Sequence, residues 1–160
     1  MRESTAAVAI IRREHKGQTL WLAQWNGNWQ CYHFVGGHKR ADESFRQCVI
    51  REIGEELEII EGQGFLVADR PLAHLDYTAW SEDARQETHY VMELFEVRLV
   101  GEAARQRIEA DSHNRWLTEQ EIHEKRCHDG SPISETMGLL LEQANLCSVG
   151  SCRAESPRSA

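Results

Sequence analysis

No apolar run in this chain is longer than the six residues Ala6–Ile11, where a membrane-spanning helix needs about twenty. Proline is scarce, with three in 160 residues, so the chain is not a Pro-rich linker. Positive charge is in deficit: 18 Lys and Arg against 26 Asp and Glu give a net charge of -8. A phosphate-tracking groove or a basic membrane-surface helix needs the opposite balance, so neither a nucleic-acid nor a membrane partner is expected. A secretory signal is not expected either, since Glu3 sits in its would-be basic region and no apolar stretch of normal length follows. Cys31, Cys48, Cys127, Cys147 and Cys152 are an odd number with no paired framework. That pattern suits reduced thiols in a cytoplasmic protein. His123, Cys127 and His128 have no second ligand pair at zinc-like spacing.

What is present reads as one body over residues 1–147 followed by a small, polar and mobile tail over 148–160. Short β-branched or aromatic runs, Ala6–Arg12 and Thr19–Gln24, flank a turn near Gly17. Asn26-Gly27 predicts a two-residue hairpin turn leading into a strand over Trp29–Phe34. Two longer strands are expected at Pro71–Trp80 and Thr88–Leu99, joined by the polar loop 81–86. Helix signals begin at Glu43, with no glycine but Gly54 as far as Leu57. Thr118-Glu119-Gln120-Glu121 fits a capping box, with Leu117 and Ile122 as its hydrophobic staple. Ser131-Pro132 suggests an N-cap and first-turn proline before an amphipathic helix over Ile133–Asn145. Mixed strands and helices in one short chain give an α/β or α+β layered fold around a mixed sheet.

The segment that carries chemistry lies between Gly37 and Ile59. On a helix turning about 100° per residue, Phe45, Val49, Ile53 and Leu57 share one apolar face. Glu52, Glu55 and Glu56 cluster on about 100° of arc, and Glu56 points between Phe45 and Val49. Like charges at i, i+4 repel, and a carboxylate beside an apolar face loses hydration. Either a raised pKa or a bound cation relieves that conflict, and a hard divalent ion takes oxygen ligands of this kind. Arg51 stands at i, i+4 to Glu55, where it can orient or partly neutralise it.

This arrangement resembles the signature of the Nudix hydrolases: Gly, five residues, Glu, seven residues, Arg-Glu, an apolar residue, any residue, Glu-Glu, any residue, Gly, and an apolar residue. Gly37, Glu43, Arg51, Glu52, Ile53, Glu55, Glu56 and Ile59 match at the right spacing. Two positions depart from the family pattern. Glu58 stands where the signature has a left-handed glycine helix stop, and Val35 stands where many members have proline. A non-glycine residue held left-handed costs roughly 1–2 kcal/mol, upstream of which the acidic cluster is unaffected.

The resemblance implies a Nudix-like α/β/α sandwich and hydrolysis of a diphosphate linkage in a nucleoside diphosphate derivative. By the same resemblance, Glu52, Glu55 and Glu56 would hold Mg²⁺ or Mn²⁺, with the Gly37 carbonyl as a further ligand. Glu43 and Arg51 would orient the cluster, and water would attack phosphorus. The general base stays open among Glu52, Glu56 and acids outside the motif, namely Glu87, Glu109 and Asp111. Lys39 and Arg40 are candidates to meet phosphate, and Trp25 and Trp29 to stack on a base. Only 35 residues precede the glycine pair, so the N-terminal sheet domain of dimeric nucleotide-sugar members is not expected. Nucleoside triphosphates or dinucleoside polyphosphates are therefore favoured over nucleotide sugars, for a monomer or a homodimer. The rival is a non-hydrolytic nucleotide-binding or regulatory module, against which the intact Arg51, Glu52, Glu55 and Glu56 speak.

Overall fold

Ala7, Val8, Ala9, Ile10 and Ile11 are each at most 4% exposed, a mark of a strand covered on both faces rather than one. In the computed structural model, which describes residues 1–147, they lie in β1 (Arg2–His15). There follow β2 (Gln18–Asn26), β3 (Cys31–His33), β4 (Gly36–His38), α1 (Phe45–Leu57), β5 (Phe65–Val67), β6 (Ala73–Ser81) and β7 (Gln86–Leu99). Then come α2 (Glu102–Ala110), β8 (Asn114–Thr118), α3 (Glu119–Glu124) and α4 (Glu135–Gln143). No described helix is long and apolar enough to cross a membrane. The segment 148–160, expected as a tail, lies outside the described residues.

The chain divides into two compact units, the first built from residues 1–11 and 35–110. In it β1 runs parallel to β7, from Arg2 opposite Thr88 to Ile11 opposite Val97. The short β4 adds antiparallel on the other side of β1, pairing Gly37 with Ala7. β6 and β5 both pair antiparallel with β7. One parallel pairing amid antiparallel ones makes this the mixed α+β fold expected of the sequence. Cys48, Val49, Ile53 and Leu57 form the buried stripe of α1, each aliphatic contributing about 1.5–3 kcal/mol by leaving water.

The second unit comprises residues 12–34 and 111 onward. β2 is its centre, antiparallel to the end of β1, to β3 and to β8. Met137, Leu140 and Leu141 of α4 are buried there with Ile122 of α3. The anticipated capping box is present: the Thr118 hydroxyl accepts from the Glu121 N–H at 3.0 Å, and Glu121 accepts from the Thr118 N–H at 3.0 Å.

Several boundaries differ from the sequence reading, each for a local reason. Residues 27–30 form a four-residue loop, because Asn26 pairs with Cys31 and its side chain accepts from the N–H groups of Asn28 and Trp29. Gln30, with φ 55°, takes the left-handed position expected of the Asn-Gly pair. α1 begins after Ser44 instead of at Glu43, since Ser44 and Gln47 make a reciprocal capping box. Ser134, not Ser131, caps α4, and Ile133 bridges to Tyr32. α2 and the short strands β4, β5 and β8 were not foreseen; three to five residues give no readable period. Cys31, Cys48 and Cys127 are free thiols, but Cys147 is disulfide-bonded, so the expectation of reduced thiols does not hold at that position.

Candidate active site

The loop before α1 is shaped by its own charged residues. Lys39 donates from its backbone N–H to the Thr5 carbonyl at 2.9 Å, which extends the β4 pairing by one residue. Its ammonium donates to the carbonyls of Arg40 (3.1 Å) and Glu43 (2.8 Å) and lies 5.7 Å from the Phe45 ring centre. Glu43 in turn accepts from the Arg40 N–H at 2.9 Å. Lys39, expected at phosphate, therefore closes its own loop, while Arg40 is exposed at the tip.

Arg51 is the hub of the acidic cluster. Its Nε and Nη2 grip Glu43 as a two-point fork, at 3.0 and 2.6 Å. Nη1 donates to Glu52 at 2.9 Å and to Glu55 at 2.8 Å, and Nη2 also reaches the His38 carbonyl at 3.1 Å. A planar guanidinium can serve three carboxylates at once because its donors point outward in a fixed fork, which an ammonium cannot do. The Arg51 hydrogen bonds, followed by the Arg40 N–H, hold the Glu43 carboxyl down at about 2. So Glu43 is an orienting anion, and its placement before the helix leaves Ser44 to cap.

The Glu52 and Glu56 carboxyls meet directly through a side-chain hydrogen bond. Burial pushes Glu56 up to about 7, helped by the hydrogen bond and charge of Glu52; a hydrogen bond from the Gly36 backbone pulls the other way. A side-chain carbon at Gly37 would overlap the Glu52 carboxylate. Glycine is needed here for close approach, not for an unusual φ. The Gly37 carbonyl accepts from the Cys48 thiol at 3.4 Å, and burial keeps that thiol protonated by pushing it up to about 11.

Among the described residues no three His, Cys, Asp or Glu side chains are arranged as a ready metal cage. Glu52 and Glu55 are turned toward Arg51 instead. The donor chemistry nonetheless fits a hard divalent ion: carboxylate oxygens from three residues within two helical turns, two of them in mutual repulsion, beside a backbone carbonyl. A cation between Glu52 and Glu56 would favour the charged form and so offset the burial and repulsion behind the Glu56 shift.

The remaining candidates are spread over the fold. Glu87 pairs across the ribbon with Trp80, and Glu109 lies in α2, both exposed in the first unit. Asp111 belongs to the second unit, where it accepts from the N–H and ring of His113 at 2.9 and 3.0 Å. Trp25 and Trp29 are also in the second unit. Trp25 packs edge-on to Tyr32 at 5.1 Å, and Trp29, half exposed on its loop, packs edge-on to His33 at 5.2 Å. Glu58 keeps the left-handed conformation at φ 56° and pairs with Arg107 at 2.6 Å. The Ser44–Gln47 capping box and the Cys48 thiol were overlooked in the sequence; Ser-x-x-Gln was its readable signal.

A family model described as NUDIX domain matches residues 2–136. Solved structures of similar fold include the C. elegans Ap4A hydrolase, 17% identical, with 91% of this chain and 97% of that one covered at a TM-score of 0.59. The NUDIX domain of Shewanella oneidensis NrtR, solved with ADP ribose, is 18% identical over 91% of this chain and 88% of that one, at a TM-score of 0.61. NrtR complexed with a 27mer DNA is 18% identical over 88% of this chain at a TM-score of 0.59, and there this chain spans 59% of the other's length. No curated protein matches the chain. At these identities the likeness is one of fold.

Proposed function

The chain belongs to the NUDIX domain family, and we propose that it is a metal-dependent hydrolase of a diphosphate linkage in a nucleoside diphosphate derivative. A nucleoside triphosphate or dinucleoside polyphosphate is the favoured substrate, with a nucleotide sugar as the further option. The observation that carries this reading is the α1 cluster: Glu52, Glu55 and Glu56 gathered by Arg51 and seated against Gly37. Glu52, Glu55, Glu56 and the Gly37 carbonyl would hold Mg²⁺ or Mn²⁺. When bound, such an ion neutralises phosphate charge and lowers the pKa of a coordinated water.

The chain's own residues do the rest. Arg51 holds Glu52 and Glu55 in place, and Glu43 fixes Arg51 through two hydrogen bonds. Gly37 lets the Glu52 carboxylate sit against the backbone. Arg40, exposed at the loop tip, would meet substrate phosphate. The acceptor of the water proton is sought first in Glu52 and Glu56, then in Glu87, Glu109 and Asp111. The Ap4A-hydrolase and ADP-ribose-bound neighbours support a nucleotide derivative as substrate.

A second reading, a nucleotide-sensing regulator, draws on the NrtR neighbour solved with DNA. Intact Arg51, Glu52, Glu55 and Glu56 favour turnover, since a pure sensor has no use for the full acidic set. The test is direct. The purified protein with Mg²⁺ is incubated with nucleoside triphosphates, dinucleoside polyphosphates, ADP-ribose and nucleotide sugars, and new phosphomonoester ends are measured. Turnover that needs the metal and disappears in Glu56→Gln supports the hydrolase. No cleavage across the panel, or full activity in the variant, sinks it.

A further inference from the structure

The sheet of the first unit carries a polar pair, against the start of α1, that the diphosphate chemistry does not use. Gly37 of β4 pairs with Ala7 of β1, Ala7 with Glu93 of β7, and Glu93 with His74 of β6. Residues in register across neighbouring strands point to the same face. That face is the one α1 covers, since a side-chain carbon at Gly37 would meet Glu52 of α1. Glu93 and His74 therefore lie on the same side of the sheet as the acidic cluster, in one row with its glycine.

An acid in this place is costly. Glu93 stands on its face between Val91 and Phe95, its side chain is 19% exposed, and a carboxylate there loses hydration. Ala7 beside it offers only a methyl group. The carboxylate turns to β6 instead, where Oε2 lies 2.8 Å from His74 Nδ1. A carboxylate only accepts, so the Nδ1 hydrogen faces Glu93 and the ring is held in one orientation. Well-packed apolar residues in place of such a pair are often neutral or stabilising, so packing alone does not account for it.

The ring so held meets Phe45, the first residue of α1, edge-on at 6.2 Å with the planes 85° apart. Such a contact is directional, because the positive edge of one ring faces the negative face of the other. Lys39 holds the same ring from the loop. Its ammonium lies 5.7 Å from the ring centre and donates to the Glu43 carbonyl at 2.8 Å. Glu43 stands two residues before Phe45 and grips Arg51 at 3.0 and 2.6 Å. A fork of two hydrogen bonds that short opens when one member moves by about an ångström. The place of Phe45 thus reaches Arg51 through Ser44 and Glu43.

We propose that His74, held by Glu93, is a positioning residue for the α1 cluster: by fixing Phe45 it sets where α1 starts and keeps Glu43 on Arg51. The proposal rests on the reading of that cluster as the hydrolytic site. The pair acts through Phe45 and Arg51, not on the reacting atoms.

The test follows the Arg51 Nε–H in metal-free protein by NMR, with backbone amide spectra to confirm the fold. Bonded to Glu43, that hydrogen should exchange slowly with solvent in wild type. His74→Ala and Glu93→Leu should each speed its exchange about tenfold. Glu93→Gln, which keeps an oxygen acceptor for Nδ1, should stay within about threefold of wild type. Trp80→Ala, at the exposed far end of β6, should change nothing. Phe45→Leu removes the ring and keeps an apolar side chain, so it should match His74→Ala. It carries the test if either pair variant fails to fold. In turnover, His74→Ala and Glu93→Leu should lower kcat about tenfold with KM within about threefold, and Glu93→Gln should restore it. Fast exchange in wild type, or unchanged exchange in His74→Ala or Phe45→Leu, overturns the proposal. So does a Glu93→Gln variant that behaves like Glu93→Leu. Unchanged kcat in His74→Ala and Glu93→Leu also overturns it while leaving the hydrolase standing. Faster Arg51 exchange in variants of a chain that cleaves nothing keeps the positioning pair and removes the hydrolase.

Discussion

Glu56→Gln should make the metal-free protein more stable at pH 8. Burial strips Glu56 of hydration and the neighbouring Glu52 repels it, and the cost appears as a Glu56 pKa raised from 4.5 to about 7. Below about pH 4.5 the group is protonated whether the chain is folded or not. Between 4.5 and about 7 the unfolded chain releases the proton while the folded one keeps it, so stability falls as pH rises through that window. Above it the loss is complete and constant. The full shift corresponds to roughly 3 kcal/mol, which partial exposure to water reduces to about 1–2 kcal/mol. Glutamine keeps the shape and removes the charge, so the variant should gain that amount at pH 8, or about 2–8 °C in Tm. Near pH 4.5 the two proteins should melt together. Adding Mg²⁺ should raise the Tm of wild type and do much less for the variant. Thermal denaturation in EDTA at pH 4.5, 6 and 8, then with Mg²⁺ at pH 8, reads all of this. A variant less stable than wild type at pH 8 in EDTA, or a difference that ignores pH, would refute the argument from burial and repulsion.

Gly37→Ala places a methyl where the Glu52 carboxylate sits; it should cost about 1–3 kcal/mol by overpacking and remove activity, measured by urea unfolding and turnover. Arg51→Met leaves Glu43, Glu52 and Glu55 without their shared donor and should destabilise by roughly 2–3 kcal/mol. The Glu43 carboxyl, held at about 2, should then titrate in the ordinary carboxylate range by NMR. Glu58→Gly relieves a left-handed residue at φ 56°; since its ion pair with Arg107 is exposed and worth little, urea unfolding should show a gain of about 0.5–1 kcal/mol.

The acidic cluster was legible in the sequence because every member lies on one helix. Helical geometry is local, so the spacing of Arg51, Glu52, Glu55 and Glu56 sets their angles before any tertiary contact forms. The Arg51–Glu55 contact follows from i, i+4 alone. The grip of Arg51 on Glu43 does not. It depends on a loop whose shape is decided by the Lys39 ammonium, the Arg40 N–H and the Ser44 cap. Lys39 looked like a phosphate ligand from its position, and only the folded loop shows its charge directed inward. The hairpin at Asn26 misled in a similar way. Asn-Gly is a strong turn signal, but the Asn26 side chain caps the loop and moves the left-handed residue to Gln30.

The family and the acidic character of α1 were thus determined by the sequence itself, through residues whose relations are set within a few positions along a helix. Tertiary structure alone decided which residues from distant segments share a face. Asn114, Gln24 and His33 become neighbours only through the register of β8, β2 and β3. Trp25 lies in that register opposite Tyr32, whereas Trp29 sits on the loop beside His33, although the sequence treated the two aromatics alike. Strand register is a non-local property, set by pairing partners tens of residues apart, and a slip of one residue reverses every side chain. The net charge of -8 belongs to the first kind of knowledge in its sum and to the second in its arrangement: how Arg51, Gly37 and burial dispose those acids is a matter of the fold.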